Sequence, residues 1–457
     1  MRTKSSAFVA ISSTLALAAC GDTGVMEPGP EPAATCLGQP AQRIRSAITQ
    51  NTTWNANTRY LLSGRIDVTN RATLTIEPGT TICGDADQTM MNVSYLNIDQ
   101  DAKLIAAGTA ERPIVFTSSR PQGQRRPQDW GGVVLRGRAP INNPPDAGKG
   151  PETVCAQAEA SAGSYGPCGT PRADDNSGTL RYLRIEFAGR EFAPDKELNS
   201  LSLYAIGSGT TLEYIQVHRG SDDGFEFFGG TANLRYAVAS ACQDDAFDWE
   251  FGWVGKGQFW VATQDRNIGN RGFEGDNNRM NAALDPHSSP TISHVTLLGL
   301  GRGNAPGGSD KREGLALRSG VQGRLSNLIV AGFSDAGLAL EEATVAGAKG
   351  GLLSLQGALF FQNGPAGDAK NISDTTTLGS TAFDVKAWVL GQPGNIEADP
   401  LLTDPFNPRT PSFLPRPGSP ALQGGRAPTD SFFTPAAHLG AFGDTDWTAG
   451  WTAYPEN

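Results

Sequence analysis

Acidic residues recur at fixed places in a set of short frames, and these are the residues of the chain best suited to chemistry. Asp222-Asp223-Gly224-Phe225-Glu226 is followed by Asp244-Asp245-Ala246-Phe247-Asp248, then by Arg271-Gly272-Phe273-Glu274-Gly275-Asp276. If like positions stand on successive strands, about 4.8 Å apart, Glu226, Asp248 and Glu274 make one outward ladder. Asp222, Asp223, Asp244 and Asp245 then gather at the adjoining turn. Two unit charges at that separation repel by roughly 3.5 kcal/mol at an effective dielectric of 20, or roughly 0.9 kcal/mol in water. Such a ladder needs cations, raised pKa values or basic neighbours, and Arg271 is one neighbour at hand. Calcium is the natural cation, because it takes many oxygens in loose geometry. Asp222, Asp223, Glu226, Asp244, Asp245, Asp248 and Glu274 are therefore a candidate calcium set. Paired carboxylates also serve glycoside hydrolysis. Turn aspartates have a purely structural role too, bonding to turn amides and tolerating left-handed backbone. No compact catalytic signature decides among the three. Arg271, Trp253 and Trp260 are the candidate ligand contacts. The two tryptophans lie near glycines and could form a platform for a sugar ring, while Phe227, Phe228, Trp249, Phe251 and Phe259 read as packing.

The frames that carry these acids extend beyond them. Leu201, Phe225, Phe247, Phe273, Leu315 and Leu338 follow one another at spacings of 24, 22, 26, 42 and 23 residues, the long one being a coil plus an insertion. A second set runs out of phase: Leu180-Arg-Tyr-Leu-Arg-Ile185, Leu212-Glu-Tyr-Ile-Gln-Val217, Leu234-Arg-Tyr-Ala-Val238, Ile292-Ser-His-Val-Thr-Leu297 and Leu325-Ser-Asn-Leu-Ile-Val330. Alternation with period two argues strand, and repetition at this period is the mark of a solenoid. The columns predict an all-β parallel β-helix. Tyr182, Tyr214, Tyr236, His294 and Asn327 would form one column, where the chain turns into the strand.

Taken in order, residues 1–19 read as a secretory leader: Arg2 and Lys4, a short apolar run, and small residues at the cut. Leu17-Ala18-Ala19-Cys20 resembles the bacterial lipobox, which implies a lipid on Cys20, and Gly21 after it resembles lipoproteins passed to the outer membrane. Residues 20–52 hold a Pro- and Gly-rich tether, residues 53–397 the β-helix body, and residues 398–457 a closing segment. That segment is rich in Pro, which stops a further strand from adding. It is expected to cap the open end, with Trp447 and Trp451 over the last coil. Three excursions interrupt the body, at about 136–176, 276–289 and 301–312. Cys155 and Cys168 are close enough to staple the first, Cys36 could tie the tether to Cys83, and Cys242 is left as a buried thiol. The net charge of −10 without basic clusters argues against nucleic acid. No cysteine pair has zinc-like spacing, and nothing calls for an organic cofactor.

Thr53 to Ser118, Asp129-Trp-Gly-Gly-Val-Val-Leu-Arg-Gly-Arg-Ala-Pro-Ile-Asn142, Asp175 to Gly189 and Asp222-Asp-Gly-Phe-Glu-Phe-Phe-Gly-Gly230 together resemble a family of bacterial surface lipoproteins with right-handed parallel β-helices. The resemblance spans about Thr53 to Trp451 and implies a fold and an address, not a reaction. Carboxylates paired near an arginine are also similar to those of polysaccharide lyases of this fold class, in which calcium neutralises a uronate and a base removes a proton. Two functions follow. One is a non-catalytic lipoprotein of the outer membrane or cell surface whose β-helix binds a polysaccharide or surface protein. The other is a calcium-assisted polysaccharide lyase or glycoside hydrolase.

Overall fold

The computed structural model describes residues 33–87, 92–143, 155–192, 196–265, 269–301, 312–365, 371–373 and 383–457. The leader, Cys20 and the tether as far as residue 32 lie outside the described residues, as do parts of the first and third excursions. The body is a right-handed parallel β-helix. Its coils lay down two long parallel sheets, one of nine strands and one of fifteen. The nine-stranded sheet runs from Arg65–Val68 through Gly132–Arg136, Leu201–Ile206, Phe225–Gly230, Phe247–Glu250 and Phe273–Gly275 to Ala336–Leu340.

Register in that sheet follows the frames. Leu201 pairs with Phe225, Phe225 with Phe247, Phe247 with Phe273, Phe273 with Leu315 and Leu315 with Leu338. All six point into the solenoid and are fully buried. Stacking like on like lets flat rings pile up, as Phe225 and Phe247 do at 5.1 Å. Two residues on, the inward column reads Leu203, Phe227, Trp249, Gly275 and Leu317. Gly275 breaks the apolar run because a Cβ there would strike the Trp249 indole.

The long strands of the second sheet are bent in the middle. Tyr182, Tyr214, Tyr236, Phe259, His294 and Asn327 all have φ between 48° and 60°. The ladder steps over this column: Arg181 pairs with Glu213, and Leu183 with Ile215. So the predicted column exists, with Phe259 added, but it sits within the strands and not at their entry. A left-handed aromatic residue is strained. Stacking offsets this, with ring centroids 4.4 Å apart for Tyr182–Tyr214 and 4.2 Å for Tyr214–Tyr236.

The closing segment does not cap the last coil. Helices α1 (Glu342–Lys349) and α2 (Val385–Leu390) put Val345, Ala348, Val385 and Val389 into the late end of the core. Residues 398–457 instead form a strap that works back along the outer flank of the second sheet. Outward side-chain amides hold it. Asn327, Gln258 and Gln216 each donate to and accept from the strap backbone, at Arg426, Thr434 and Ala453. Trp451 stands edge-on to Tyr182 and Tyr214, and Trp447 edge-on to Tyr236. Prolines keep the strap from adding a strand, and amides that mimic backbone groups give it a seat elsewhere.

Candidate functional site

The acids come together as their spacing requires. Glu226 pairs in register with Asp248, and Asp248 with Glu274. Strand alternation turns all three away from the core, yet they do not face solvent: Glu226, Asp248 and Glu274 are 8%, 4% and 5% exposed. The expected outward ladder is a buried one. The first excursion covers it. Val134, Tyr204 and Phe228 on the outer face of the sheet form a separate apolar cluster with Ile141, Ala156, Ala158, Ala162 and Tyr165. Tyr204 stacks on Phe228 at 4.0 Å and donates its hydroxyl to Glu159 Oε2 at 3.2 Å. The second excursion joins the first through Asn142, whose Nδ2 donates to Asn277 at 2.6 Å and whose carbonyl accepts from Asn278. The missed signal was in the frames: Val134, Tyr204 and Phe228 make outward positions apolar, which a solvated sheet face would not need.

At the turn, several acids do structural work. Asn199 Oδ1 accepts from the Asp223 amide, Asp223 Oδ1 from the Asp245 amide at 2.9 Å, and Asp245 Oδ1 from the Arg271 amide at 2.7 Å. Each coil thus caps the next. Asp222, Asp223 and Asp244 bring one carboxylate oxygen each within 4.8 Å of one another, and so do Asp223, Glu226 and Asp248.

Among the described residues, ion pairs answer the ladder at its Glu274 end. Glu274 contacts Arg271, Arg279 and Arg318, and Asp276 contacts Arg279 at 2.9 Å and Arg318 at 2.6 Å. Burial opposes ionisation of Asp276, but these arginines hold its carboxyl below the usual range. Arg271 is the predicted neighbour, and its guanidinium is taken up by Glu274, by Glu313 at 3.0 Å and by Asp245 at 3.5 Å. It is therefore a counter-charge inside the fold, not a ligand contact. In the other half, burial and then mutual repulsion push Asp223, Glu226 and Asp248 well above the ordinary carboxyl range. Burial likewise raises Glu250 to about 8 and Glu159 to about 7.

The proposed tryptophan platform is overturned. Trp253 and Trp260 are fully buried core residues. Trp253 stacks on Phe227 at 4.2 Å and Trp260 on Phe247 at 4.6 Å. Their indole N–H groups donate to the carbonyls of Ala232 and Leu234. Gly255 and Gly257 lie beside them because a Cβ at either would meet the indole; those glycines mark room for a ring, not access to it. Disulfides join Cys36 to Cys83 and Cys155 to Cys168, and Cys242 is a free buried thiol that burial pushes up to about 12.

A family model described as a pectate-lyase-like β-helix domain matches residues 46–390. With most of its length matched, the chain belongs to that family. No curated protein and no solved structure matches it. A β-helix domain of this kind fits either a binding module or a polysaccharide-cleaving enzyme, so the fold alone does not select a reaction.

Proposed function

We propose that this protein is a non-catalytic binding module of the bacterial surface: a β-helix tethered to the outer membrane by lipid on Cys20, presenting its loop-decorated face to a polysaccharide or a surface protein. The burial of the acidic ladder carries this reading. A lyase or hydrolase must bring a sugar against its carboxylates, whereas Glu226, Asp248 and Glu274 lie beneath an insertion with an apolar core of its own. Insertions on one face of a solenoid are often its binding face, and here two of them are tied together through Asn142, Asn277 and Asn278. The alternative, calcium-assisted cleavage, would require that cover to lift.

Incubation with a panel of acidic and neutral polysaccharides tests the proposal. Retention of one glycan class without turnover supports it, and new reducing ends or unsaturated products would replace it with the enzyme. The address is tested separately. The chain should fractionate with membranes, and Cys20→Ser should release or mislocalise it; an unchanged membrane fraction removes the lipid anchor.

A further inference from the structure

Three of the chain's four histidines stand along the seam between the strap and the second sheet. His294 is fully buried there. Its Nε2 faces the strap carbonyl of Ala436 at 3.4 Å. Its Nδ1 faces donors, the Ser293 hydroxyl at 2.9 Å and the Gln258 amide at 3.4 Å. Ser293 Oγ already accepts from the Ser326 hydroxyl and from Asn327 Nδ2, so its own proton is directed at the ring. A second proton on this imidazole would meet those donors head-on and turn Ser293 and Gln258 away. Gln258 and Asn327 are the amides that seat the strap at Thr434 and Arg426. From the strap itself, the His438 ring stands 5.2 Å from that of His294, so two protonated rings would also repel across the seam. Further along, His218 Nε2 lies 2.8 Å from the Pro455 carbonyl and its Nδ1 2.8 Å from Ser240 Oγ.

We propose that the strap is a cover released by acid, with His294 and His438 as the trigger at its middle and His218 at its far end. The charges around each ring agree. Arg125, Arg184 and Arg219 oppose a positive charge on His218. Glu186, in register with His218, is taken up by Arg125 and Arg184, and Asp265 by Arg219. On the strap side His218 meets the edge of the Tyr454 ring, and Glu456 is paired with Arg409. The charged group acting on His294 is His438, and Asp444 acts on His438. Lys256 holds Asp430 of the strap at 2.6 Å and keeps its carboxyl below the usual range, so that pair outlasts the histidines in acid. Burial lowers His294 to about 4 and His218 to about 3, and lowers His438 as well. Each ring is therefore neutral under the seated strap and takes its proton on release, near the ordinary value of about 6.5. The seat is whole above about pH 6.5 and weakens from there toward pH 4. Between pH 7 and pH 4.5, His294 alone raises the released population up to about fiftyfold, and His218 adds a similar factor. Release bares the tyrosine column and leaves the core inside the solenoid packed, since the strap's apolar cluster is separate from it. The switch does not rest on what the loop-decorated face binds.

The test uses the detergent-solubilised full-length protein and follows amide hydrogen exchange by mass spectrometry at about pH 7 and about pH 4.5, corrected for intrinsic rates. Peptides covering Arg426 to Gly440 should lose about fiftyfold or more of their protection in acid, while those covering Phe225 to Gly230 change by less than about threefold. A variant carrying His218→Gln, His294→Gln and His438→Gln together should keep its strap protection in acid within about threefold of its neutral value. The wild-type chain reads the same coupling without a substitution: with isotope-labelled histidine, magnetic resonance should find His294 neutral for as long as the strap stays protected. The proposal is overturned if strap protection is unchanged in acid, or if strap and body lose protection together. It is also overturned if His294 titrates at its ordinary value under a protected strap, or if the triple variant responds to acid as the wild type does, which would place the trigger on carboxylates.

Discussion

Replacing Trp451 by Ala should detach the end of the strap while leaving the β-helix intact. Trp451 is fully buried, stands edge-on to Tyr182 and Tyr214, and donates its indole N–H to the Trp447 carbonyl at 2.8 Å. Truncating a buried Trp to Ala costs about 3–5 kcal/mol. The cluster it belongs to, with Phe442, Leu439 and Phe413, is separate from the core inside the solenoid, so the loss falls on the strap. At 1.36 kcal/mol per factor of ten, the open population rises roughly a hundred- to a few-thousandfold. Limited proteolysis tracks that population when reclosing is fast. Mass spectrometry should find cleavage C-terminal to about residue 443 accelerated by that factor, with little change in the melting of the body. A proteolysis rate within about threefold of the parent would refute the seating of the strap on the tyrosine column. So would global unfolding of the variant.

Acid should loosen the same seam through His218. Its ring is buried, with Nδ1 2.8 Å from Ser240 Oγ and Nε2 2.8 Å from the Pro455 carbonyl, and burial lowers its pKa to about 3. The folded pKa lies below the unfolded value near 6.5, so the released state takes the proton first. Nothing is lost above about pH 6.5, and stability falls by at most about 1.4 kcal/mol per pH unit from there toward pH 3. His218→Asn should flatten that part of a stability–pH curve; an unaltered slope contradicts it. Arg318→Ala should cost about 3–5 kcal/mol in denaturant unfolding, because it leaves Glu274 and Asp276 buried with less counter-charge; a change under about 1 kcal/mol would mean those acids are neutral. Cys242 should resist thiol reagents until the chain is denatured, and peptide mapping should recover it unpaired beside the Cys36–Cys83 and Cys155–Cys168 bridges; labelling of the native protein argues against its burial.

The β-helix was legible in the chain because a solenoid repeats its core. Leu201, Phe225, Phe247, Phe273, Leu315 and Leu338 advertise the register directly, and the same alignment places Glu226, Asp248 and Glu274 in one column. What the repeat does not encode is whatever covers it. The burial of the acids depends on an insertion some 60 to 120 residues upstream, and only the apolar outward residues Val134, Tyr204 and Phe228 hint at it. The strap was misplaced for a related reason. Its prolines say that it adds no strand, but its seat is set by outward amides at Gln216, Gln258 and Asn327, which look like ordinary surface residues. Trp253 and Trp260 misled because glycine neighbours fit an open platform and a tightly packed indole equally well. Arg279 and Arg318 escaped notice because their acids lie three to five residues away within a loop, or one coil away.

The most direct measurement is product analysis of the purified full-length protein against defined acidic and neutral oligosaccharides in calcium-containing buffer. Mass spectrometry of the sugars should be paired with retention of the same sugars on immobilised protein. A binding module whose acids are sealed beneath its own loops should retain a glycan class, or a surface protein in its place, and return every oligosaccharide uncut. Shortened or unsaturated products that disappear in Glu226→Gln or Asp248→Asn would contradict this, and would mean that the cover opens onto a catalytic site.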